Sequence, residues 1–184
     1  MADSISVKQK LMADESILSQ IELVTKKMIE SYQAGGKTMF AGNGGSAADA
    51  QHLAAELVNR FALDRDGVPA LSLTTDSSVV TSISNDYSFE VLFSRQVKAL
   101  GNAGDVFVGI STSGNSANIV EAVRVCHEKQ IFTVGLTGET GGKMAQLCDV
   151  CICVPSTVTA RIQEAHILIG HILCGLVEDS LFKK

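Results

Sequence analysis

Short apolar runs that alternate with helical patterns constrain the fold of this 184-residue chain more than any other feature. The runs end at turn residues and are apolar almost throughout, which is typical of strands buried on both faces of a parallel sheet. The predicted strands cover residues 38–42, 69–74, 106–110, 132–136 and 150–154, and the predicted helices cover 47–60, 77–84, 89–100, 117–129, 143–147 and 159–181. The pattern predicts an α/β fold: an open parallel five-stranded sheet sandwiched by helices, in a flavodoxin- or Rossmann-like three-layer arrangement.

An N-terminal helical segment precedes the first predicted strand. Apolar residues from Ile17 to Met28 recur at helical spacing, so residues 4–34 are expected to form one or two helices, ended by Gly35 and Gly36. No composition shift or linker interrupts the chain after that point. The expected organisation is a single domain over 1–184, with a helical segment over 1–35 and an α/β sandwich over 36–184.

Composition and charge limit the partners and the compartment. The net charge is −5 and the basic residues are not clustered, which argues against a nucleic-acid surface. No apolar run reaches about 18 residues and the N-terminus has no apolar h-region, so we expect a cytoplasmic protein without a membrane span. Apolar residues make up 46% of the chain, which favours an oligomer that hides one face. The segment FALDRDG at 61–67 is the most plausible mobile surface loop.

The cysteines allow two interpretations. Cys148 and Cys151 form a C-x-x-C pair and Cys153 follows, which is compatible with a zinc or redox site. No second C-x-x-C accompanies the pair, however, and the total of five is odd. We therefore expect the three cysteines to act as small hydrophobic residues of a buried strand, DVCICVP.

A glycine turn, Gly42-Asn43-Gly44-Gly45-Ser46, connects the first predicted strand to a helix. Glycines let backbone N–H groups approach an anion closely, and the start of a helix adds partial positive charge. The segment thus predicts a phosphate site. The alternative is a tight connection without a ligand, because the turn lacks the signatures of a P-loop or a dinucleotide site.

A run of hydroxyl side chains, STSGNS at 111–116, follows the third predicted strand and precedes another helix. Ser and Asn often cap helices, but one cap needs only one such residue. Hydroxyls together with helix N–H groups suit a phosphate ester or sugar hydroxyls without any cation. The run therefore predicts a second part of an anion site, since the carboxyl ends of parallel strands meet at one edge of the sheet.

Histidines and carboxylates at helical spacing indicate metal or proton-transfer chemistry. His52 and Glu56 are four residues apart and share one helix face. The last predicted helix carries Gln163, His166 and His171. Either of these histidines alone is more simply explained as a core or interface residue. Taken with His52 and Glu56, two histidines, a carboxylate and an amide fit a zinc-like site with nitrogen and oxygen ligands.

These motifs together resemble the sugar isomerase (SIS) domain family, and within it the phosphoheptose isomerases. The resemblance extends over nearly the whole chain and rests on the order and spacing of five segments. They are GNGGSAADAQHLAAEL at 42–57, ISNDYSFEVLFSRQV at 83–97, GISTSGNSANI at 109–119, GLTGETGGKMA at 135–145 and ARIQEAHILIGHIL at 160–173.

The resemblance implies roles for particular residues. It implies one Zn²⁺ per subunit on His52, Glu56, Gln163 and His171, with Glu56 and His171 in the two proton-transfer roles. It implies a homotetramer whose active sites lie where subunits meet. The implied substrate contacts are Asn43, Gly44, Gly45, Ser46, Glu56, Asn85, Asp86, Ser111, Thr112, Ser113, Ser116 and Gln163. One departure is visible, because Ala160 stands where some relatives have Asp.

The implied reaction is an aldose–ketose isomerisation of sedoheptulose 7-phosphate to D-glycero-D-manno-heptose 7-phosphate through an enediol, the first step of nucleotide-activated heptose synthesis for bacterial surface glycans. The alternative within the same fold is a non-catalytic sugar-phosphate sensor or a protein that binds the replication initiator. Relatives of the binding type lack the Glu and His that this chain has at positions 56 and 171. A carboxylate bound to zinc is a weak base, so whether the metal is catalytic, structural or inhibitory stays open here.

Overall fold

The computed structural model describes residues 1–183. Its strands are β1 (Thr38–Gly42), β2 (Ala70–Ser72), β3 (Val106–Ile110), β4 (Phe132–Thr137) and β5 (Val150–Cys153). Its helices are α1 (Ala2–Ala13), α2 (Glu15–Gln33), α3 (Gly45–Val58), α4 (Ser77–Asp86), α5 (Leu92–Leu100), α6 (Ala117–Glu128), α7 (Met144–Leu147) and α8 (Thr159–Phe182), with a 3-10 turn over Phe89–Val91.

The five strands form one parallel sheet in the order β2-β1-β3-β4-β5, which confirms the predicted fold class. This is the strand order of flavodoxin-like sheets, in which ligands bind outside the carboxyl ends of β1 and β3, where the order reverses. Gly42, the last residue of β1, is in register with Ile110, the last residue of β3. The glycine turn and the hydroxyl run therefore leave the sheet side by side.

Apolar side chains pack on both faces of the sheet. Val106, Val108 and Ile110 of β3 join a core beneath α2, α3 and α8, whereas Phe107 points to a second core beneath α5 and α6. Successive residues of a strand face opposite sides of the sheet, so an almost continuous apolar run is needed to fill two cores at once. This is why the strands could be recognised in the sequence as apolar runs.

The N-terminal segment forms two helices, because Asp14 interrupts it. Asp14 has an extended backbone, and its carboxylate accepts hydrogen bonds from the N–H groups of Ser16 and Ile17 at the start of α2. An aspartate that satisfies free N–H groups in this way stabilises a helix start. Both helices pack against α8.

Several predicted boundaries were wrong by one to three residues. The predicted helix 47–60 begins at Gly45 and ends at Val58, and the predicted strand 69–74 is only Ala70–Ser72. The predicted helix 89–100 consists of the 3-10 turn followed by α5. The remaining changes are one or two residues at the start of α1 and at the ends of α2, α4, α6, α7, α8, β4 and β5.

The segment 61–67 is tied down, which corrects the expectation of a mobile loop. The backbone N–H groups of Phe61, Ala62 and Leu63 donate to the carboxylate of Glu178 in α8, at 2.9, 2.7 and 2.8 Å. Arg65 donates its Nε–H to the same carboxylate at 2.8 Å, and both side chains are almost fully buried. The backbone at 61–63 and the Arg65 side chain are thus fixed to α8, whereas Asp64 and Asp66 are exposed.

Among the described residues, α8 is long and apolar enough to cross a membrane by length and composition alone. Its buried residues, however, include Ile162, Ile169, Leu173 and Val177 of the core beneath the sheet. A core helix of a soluble protein passes the same test, and the contacts of α8 with α1, α2 and α3 identify it as one.

Candidate active site

The glycine turn starts α3 with the geometry that its sequence predicts. Gly44 is the N-cap residue and has φ 56°, a backbone conformation that side chains with a Cβ rarely adopt. Ser46, predicted as a substrate contact, is buried in the first turn of α3 and donates its N–H to the carbonyl of Asn43. Gly44 and Gly45 are exposed, so their backbone is open to a ligand.

The hydroxyl run forms a compact cluster at the start of α6. Ser111 Oγ lies 2.8 Å from Ser116 Oγ and 3.5 Å from Ser113 Oγ. Ser116 is the N-cap residue of α6, yet its side chain makes no capping hydrogen bond. The Ser116 hydroxyl therefore does not cap α6, and helix capping does not explain why a serine is at this position. Thr112 accepts a hydrogen bond from Gly138 through its carbonyl, which fixes the cluster to the end of β4.

An amide pair joins the glycine turn to the hydroxyl cluster. Asn43 and Asn118 exchange two hydrogen bonds of 2.9 Å, each Nδ2 donating to the partner's Oδ1. Asn118 is only 2% exposed, and both the nitrogen and the oxygen of its side-chain amide are hydrogen-bonded, as buried polar groups usually are. Sequence reasoning missed Asn118. Its signal was a polar side chain directly before the buried Ile119 and Val120.

His52, Glu56 and His171 come together in one chain. His52 Nε2 lies 3.0 Å from Glu56 Oε1 and 3.0 Å from His171 Nε2. The three side chains can place one ligand atom each within 4.8 Å of one another. Gly170 lets the two helices pack closely here, because a Cβ at that position would lie 2.5 Å from Leu53 Cδ1 of α3 and would overlap that side chain.

The geometry of this group fits a zinc ion. Two imidazole nitrogens that face each other at 3.0 Å can both point lone pairs at a cation, and a carboxylate oxygen completes a set of ligands that zinc prefers. Ligand atoms about 2.0–2.1 Å from a tetrahedral ion stand about 3.3 Å apart, close to the two distances of 3.0 Å found here. The donor set and its spacing are therefore compatible with zinc.

Gln163, the fourth predicted ligand, lies elsewhere along α8. Its Nε2 would be 2.5 Å from a Cβ on Gly45, so it packs against the glycine turn. Eight residues separate it from His171, which is about 12 Å along a helix. Asn85 and Asp86, predicted as substrate contacts, end α4 in exposed positions, and among the described residues each makes its only side-chain hydrogen bond with the other.

Asp49 is an acidic neighbour that sequence reasoning did not single out. Among residues 1–183, its Oδ2 atom is buried without a hydrogen-bond partner. Burial raises the pKa of Asp49, and the charges of His52 and His171 act in the opposite direction. Its signal was position, because Asp49, His52 and Glu56 are spaced three and four residues apart on one helix face.

His52, Glu56 and His171, here called the His/Glu group, lie on α3 and α8. Arg65 and Glu178 hold these two helices together. Arg65 also donates to the carbonyls of Glu56 and Leu57 at the end of α3, at 3.1 and 2.8 Å. Burial by itself raises the pKa of Glu178, but the N–H groups of segment 61–63 and the Arg65 guanidinium outweigh burial and lower it to about 2. Phe61, whose backbone N–H donates to this carboxylate, packs its ring against His171 with ring centroids 5.6 Å apart and the ring planes tilted by 38°.

Comparison with known proteins identifies the family. The SIS domain model matches residues 4–138. The chain belongs to the SIS domain family. It is 62% identical over 180 residues to the phosphoheptose isomerase of Aneurinibacillus thermoaerophilus, covering 98% of this chain and 91% of that protein. It is 57% identical over 183 residues to phosphoheptose isomerase 2 of Campylobacter jejuni, covering 100% of this chain and 91% of that protein.

Solved structures agree with this assignment. The structure of phosphoheptose isomerase from Neisseria gonorrhoeae superposes with a TM-score of 0.91 at 46% identity, covering 97% of this chain and 94% of that chain. The identity to these isomerases over nearly the whole chain shows that this SIS-domain protein is an isomerase. Other solved structures at 14–19% identity share the fold alone and do not favour the alternative of a non-catalytic sensor.

Proposed function

We propose that this SIS-domain isomerase converts D-sedoheptulose 7-phosphate to D-glycero-D-manno-heptose 7-phosphate. The observation that carries the proposal is the pairing of a neutral hydroxyl cluster, at the switch point of the sheet, with a separate His/Glu group. The first suits a phosphate ester and the second suits proton transfer. The phosphoheptose isomerases among its relatives supply the substrate class.

The phosphate is bound by the hydroxyl cluster and the start of α6. The hydroxyls of Ser113 and Ser116 both lie within 3.5 Å of the Ser111 hydroxyl, and the helix N-terminus adds partial positive charge. Thr112 extends the cluster. The exposed backbone of Gly44 and Gly45 faces the same edge of the sheet and, with Asn43, Ser46, Asn85 and Asp86, contacts the sugar.

Proton transfer falls to Glu56 and His171. In the ketose-to-aldose direction, one group removes a proton from the carbon beside the carbonyl and returns it to the former carbonyl carbon, while the other moves the hydroxyl proton between the two oxygens. Glu56 and His171 are suited to these steps because both lie beside His52 in one group. The Phe61 ring packs against the His171 imidazole.

We propose one Zn²⁺ per subunit, held by His52, Glu56 and His171. When bound, it supplies positive charge that stabilises a developing oxyanion. Glu56 has two competing roles in this proposal, since a cation lowers the pKa of a carboxylate and weakens it as a base. The role of the metal is tested by measuring turnover after chelation and again after stepwise addition of zinc. A metal that is required restores activity when it is added back, whereas an inhibitory metal lowers activity.

The proposed assembly is a homotetramer in which Gln163 completes the site of a neighbouring subunit. Within one chain, Gln163 lies about 12 Å along α8 from His171. At that distance the two side chains do not readily coordinate the same ion. Ile172 and Leu176 on the same helix are 38% and 42% exposed, although they are apolar. An apolar surface of this kind favours contact with another subunit.

Subunit mixing tests this assembly. Gln163→Ala and His171→Ala are each expected to be inactive alone. If their ligands come from different chains, a mixed oligomer contains some sites with both residues, and part of the activity returns. Mixing that restores none, under conditions where labelled subunits exchange, would contradict the shared site.

Incubation with sedoheptulose 7-phosphate, followed by NMR with and without added zinc, tests the proposed reaction. The expected result is the aldose 7-phosphate. Binding without any turnover would instead support the sensor. We further propose that residues 1–184 work as one domain in the cytoplasm and that the product enters the synthesis of nucleotide-activated heptose for a surface glycan.

A further inference from the structure

Two cysteines of β5 lie close together on a half-buried face. The sulfur atoms of Cys151 and Cys153 are 3.8 Å apart. The residues between and beside them, Val150 and Ile152, are buried, but the two cysteines are not. This differs from Cys126 and Cys174, which are buried. The predicted strand is present, but Cys148, Cys151 and Cys153 are all half-buried and not fully buried as expected, although Cys148 and Cys151 do pack against the core beneath α5 and α6.

The strand places the two thiols in position to react with each other. Residues two apart in a strand point to the same face, and a rise of about 3.3 Å per residue puts their Cα atoms about 6.6 Å apart. This is within the range of Cα distances that a disulfide spans, at its upper end. Cys148, the other member of the C-x-x-C pair, lies close to Cys151, since both sulfur atoms are 3.2 Å from the position of a Cβ on Gly135, but it precedes β5 and does not share the strand face of the other two.

Neighbouring groups favour a thiolate on one of the two. Thr137 Oγ1 lies 3.4 Å from Cys153 Sγ and 3.6 Å from Cys151 Sγ. The hydrogen bond from Cys151 lowers the pKa of Cys153, burial opposes this effect, and Thr137 adds to it. A thiolate is the nucleophilic form of cysteine, so Cys153 is the member of the pair that would react first.

We propose that Cys151 and Cys153 are an oxidisable dithiol. A hydroperoxide oxidises the pair to a disulfide, and formation of the disulfide disturbs the hydroxyl cluster. The Cys153 thiolate attacks the peroxide oxygen, the O–O bond breaks, and hydroxide or alkoxide leaves with a proton. The resulting sulfenic acid is attacked by the Cys151 sulfur, which forms the S–S bond and releases water. Two thiols are oxidised by two electrons in total, and one hydroperoxide is reduced.

The dithiol is connected to the hydroxyl cluster through the loop after β4. A Cβ on Gly141 would lie 3.0 Å from Cys153 Sγ, so that sulfur lies against the Gly141 backbone. The Gly141 carbonyl packs directly on Gly114, and Lys143 N–H donates to Asn115 Oδ1 at 3.1 Å. Disulfide closure shortens the sulfur separation from 3.8 Å by about 1.8 Å, so it changes the packing of Cys153 Sγ against Gly141.

This coupling rests on the proposed function, because it assumes that the hydroxyl cluster binds phosphate. The disulfide itself does not depend on that assumption. A pair at the upper limit of Cα separation is strained, and strained disulfides are readily reduced. The site is thus expected to be reversible with an ordinary dithiol reductant.

The test treats the reduced full-length protein with hydrogen peroxide, then measures intact mass, peptide linkage and the affinity for sedoheptulose 7-phosphate by calorimetry. We expect a mass loss of about 2 Da, a Cys151–Cys153 linkage, and affinity weakened roughly 2- to 10-fold, all reversed by dithiothreitol. Cys151→Ser and Cys153→Ser should abolish the response, while Cys126→Ser should keep it.

Each contrary outcome is distinguishable. A linkage through Cys148, or no linkage at all, would overturn the assignment of the dithiol. A Cys151–Cys153 disulfide that leaves sugar-phosphate affinity unchanged would overturn the coupling. If the proposed function is wrong, the reduced protein neither binds nor isomerises sedoheptulose 7-phosphate, yet the disulfide still forms.

Discussion

The hydroxyl cluster and the His/Glu group are built in opposite ways. The hydroxyl cluster uses neutral side chains from six consecutive residues, 111–116, positioned by the end of β3 and the start of α6. The His/Glu group uses ionisable side chains from two helices, and its two histidines are 119 residues apart in the sequence. The buried Arg65–Glu178 pair holds these two helices together. A phosphate needs only local donors, whereas proton transfer needs ionisable groups in a fixed mutual geometry.

This difference predicts how each region responds to mutation. Changes in the hydroxyl cluster should weaken binding of the phosphorylated ligand and leave the rest of the protein intact. Changes in the His/Glu group or its supports should affect turnover or folding, because those residues connect α3 to α8. The following experiments test that separation.

Glu56→Gln and His171→Gln are expected to have the largest effect. Each keeps a similar shape but removes a group that can transfer a proton, so turnover should fall roughly 10²- to 10⁴-fold. Steady-state kinetics measure the loss, and calorimetry shows whether the sugar phosphate still binds. Either variant with near wild-type turnover would mean that the role assigned to that residue is wrong.

Glu178→Gln should mainly reduce stability. It leaves Arg65 buried without its carboxylate and weakens three backbone hydrogen bonds, and breaking a buried ion pair costs about 3–5 kcal/mol. Urea denaturation measures the change in the free energy of unfolding. Asp179→Asn is a matched control, because its pair with Lys183 is exposed and should contribute less than about 1 kcal/mol. Equal effects of the two variants would contradict the role of Glu178 as a support.

His166 should make stability depend on pH. Burial lowers its pKa to about 4, although its hydrogen bond to the Thr137 carbonyl acts in the opposite direction. The unfolded chain binds a proton at this histidine near pH 6.5 and the folded chain near pH 4, so the free energy of unfolding should fall as pH drops through this window, by roughly 3 kcal/mol.

His166→Gln is the matched variant, since glutamine can still donate to Thr137 but does not titrate. Denaturation at pH 7 and pH 4.5 should show a smaller loss of stability for the variant than for the wild type. The same loss in both would show that His166 does not titrate as described.

Ser113→Ala should have the smallest and most selective effect. It removes one hydroxyl from the cluster, and a hydrogen bond to a charged group contributes about 1.5–3 kcal/mol. Affinity for sedoheptulose 7-phosphate should therefore fall roughly 10- to 100-fold, while affinity for unphosphorylated sedoheptulose stays the same. Equal losses for the two ligands would place the phosphate elsewhere.

The same comparison explains what the sequence could predict. The glycine turn and the hydroxyl cluster are contiguous, and the strand before each one is an apolar run, so both could be recognised locally. His52 and Glu56 could be paired because helical spacing places them on one face. The meeting of His52 with His171 depends on the close packing of α3 on α8 at Gly170, for which local patterns give no signal.

The misses have the same physical origin. The segment 61–67 was predicted to be mobile, but its backbone N–H groups at 61–63 are held by Glu178, more than 110 residues away. Asn118 was missed because its partner Asn43 is 75 residues away. Long-range polar pairs of this kind follow from the tertiary fold and cannot be derived from spacing.

Deuterium exchange is the measurement that tests the central claim most directly. Wild-type protein and Glu56→Gln are each incubated with sedoheptulose 7-phosphate in D₂O, and incorporation of deuterium beside the carbonyl is followed by NMR. The account predicts deuterium in the aldose product of the wild type and little or none with Glu56→Gln, although that variant still binds the ligand. Exchange at the wild-type rate in Glu56→Gln would contradict the assignment of proton transfer to the His/Glu group.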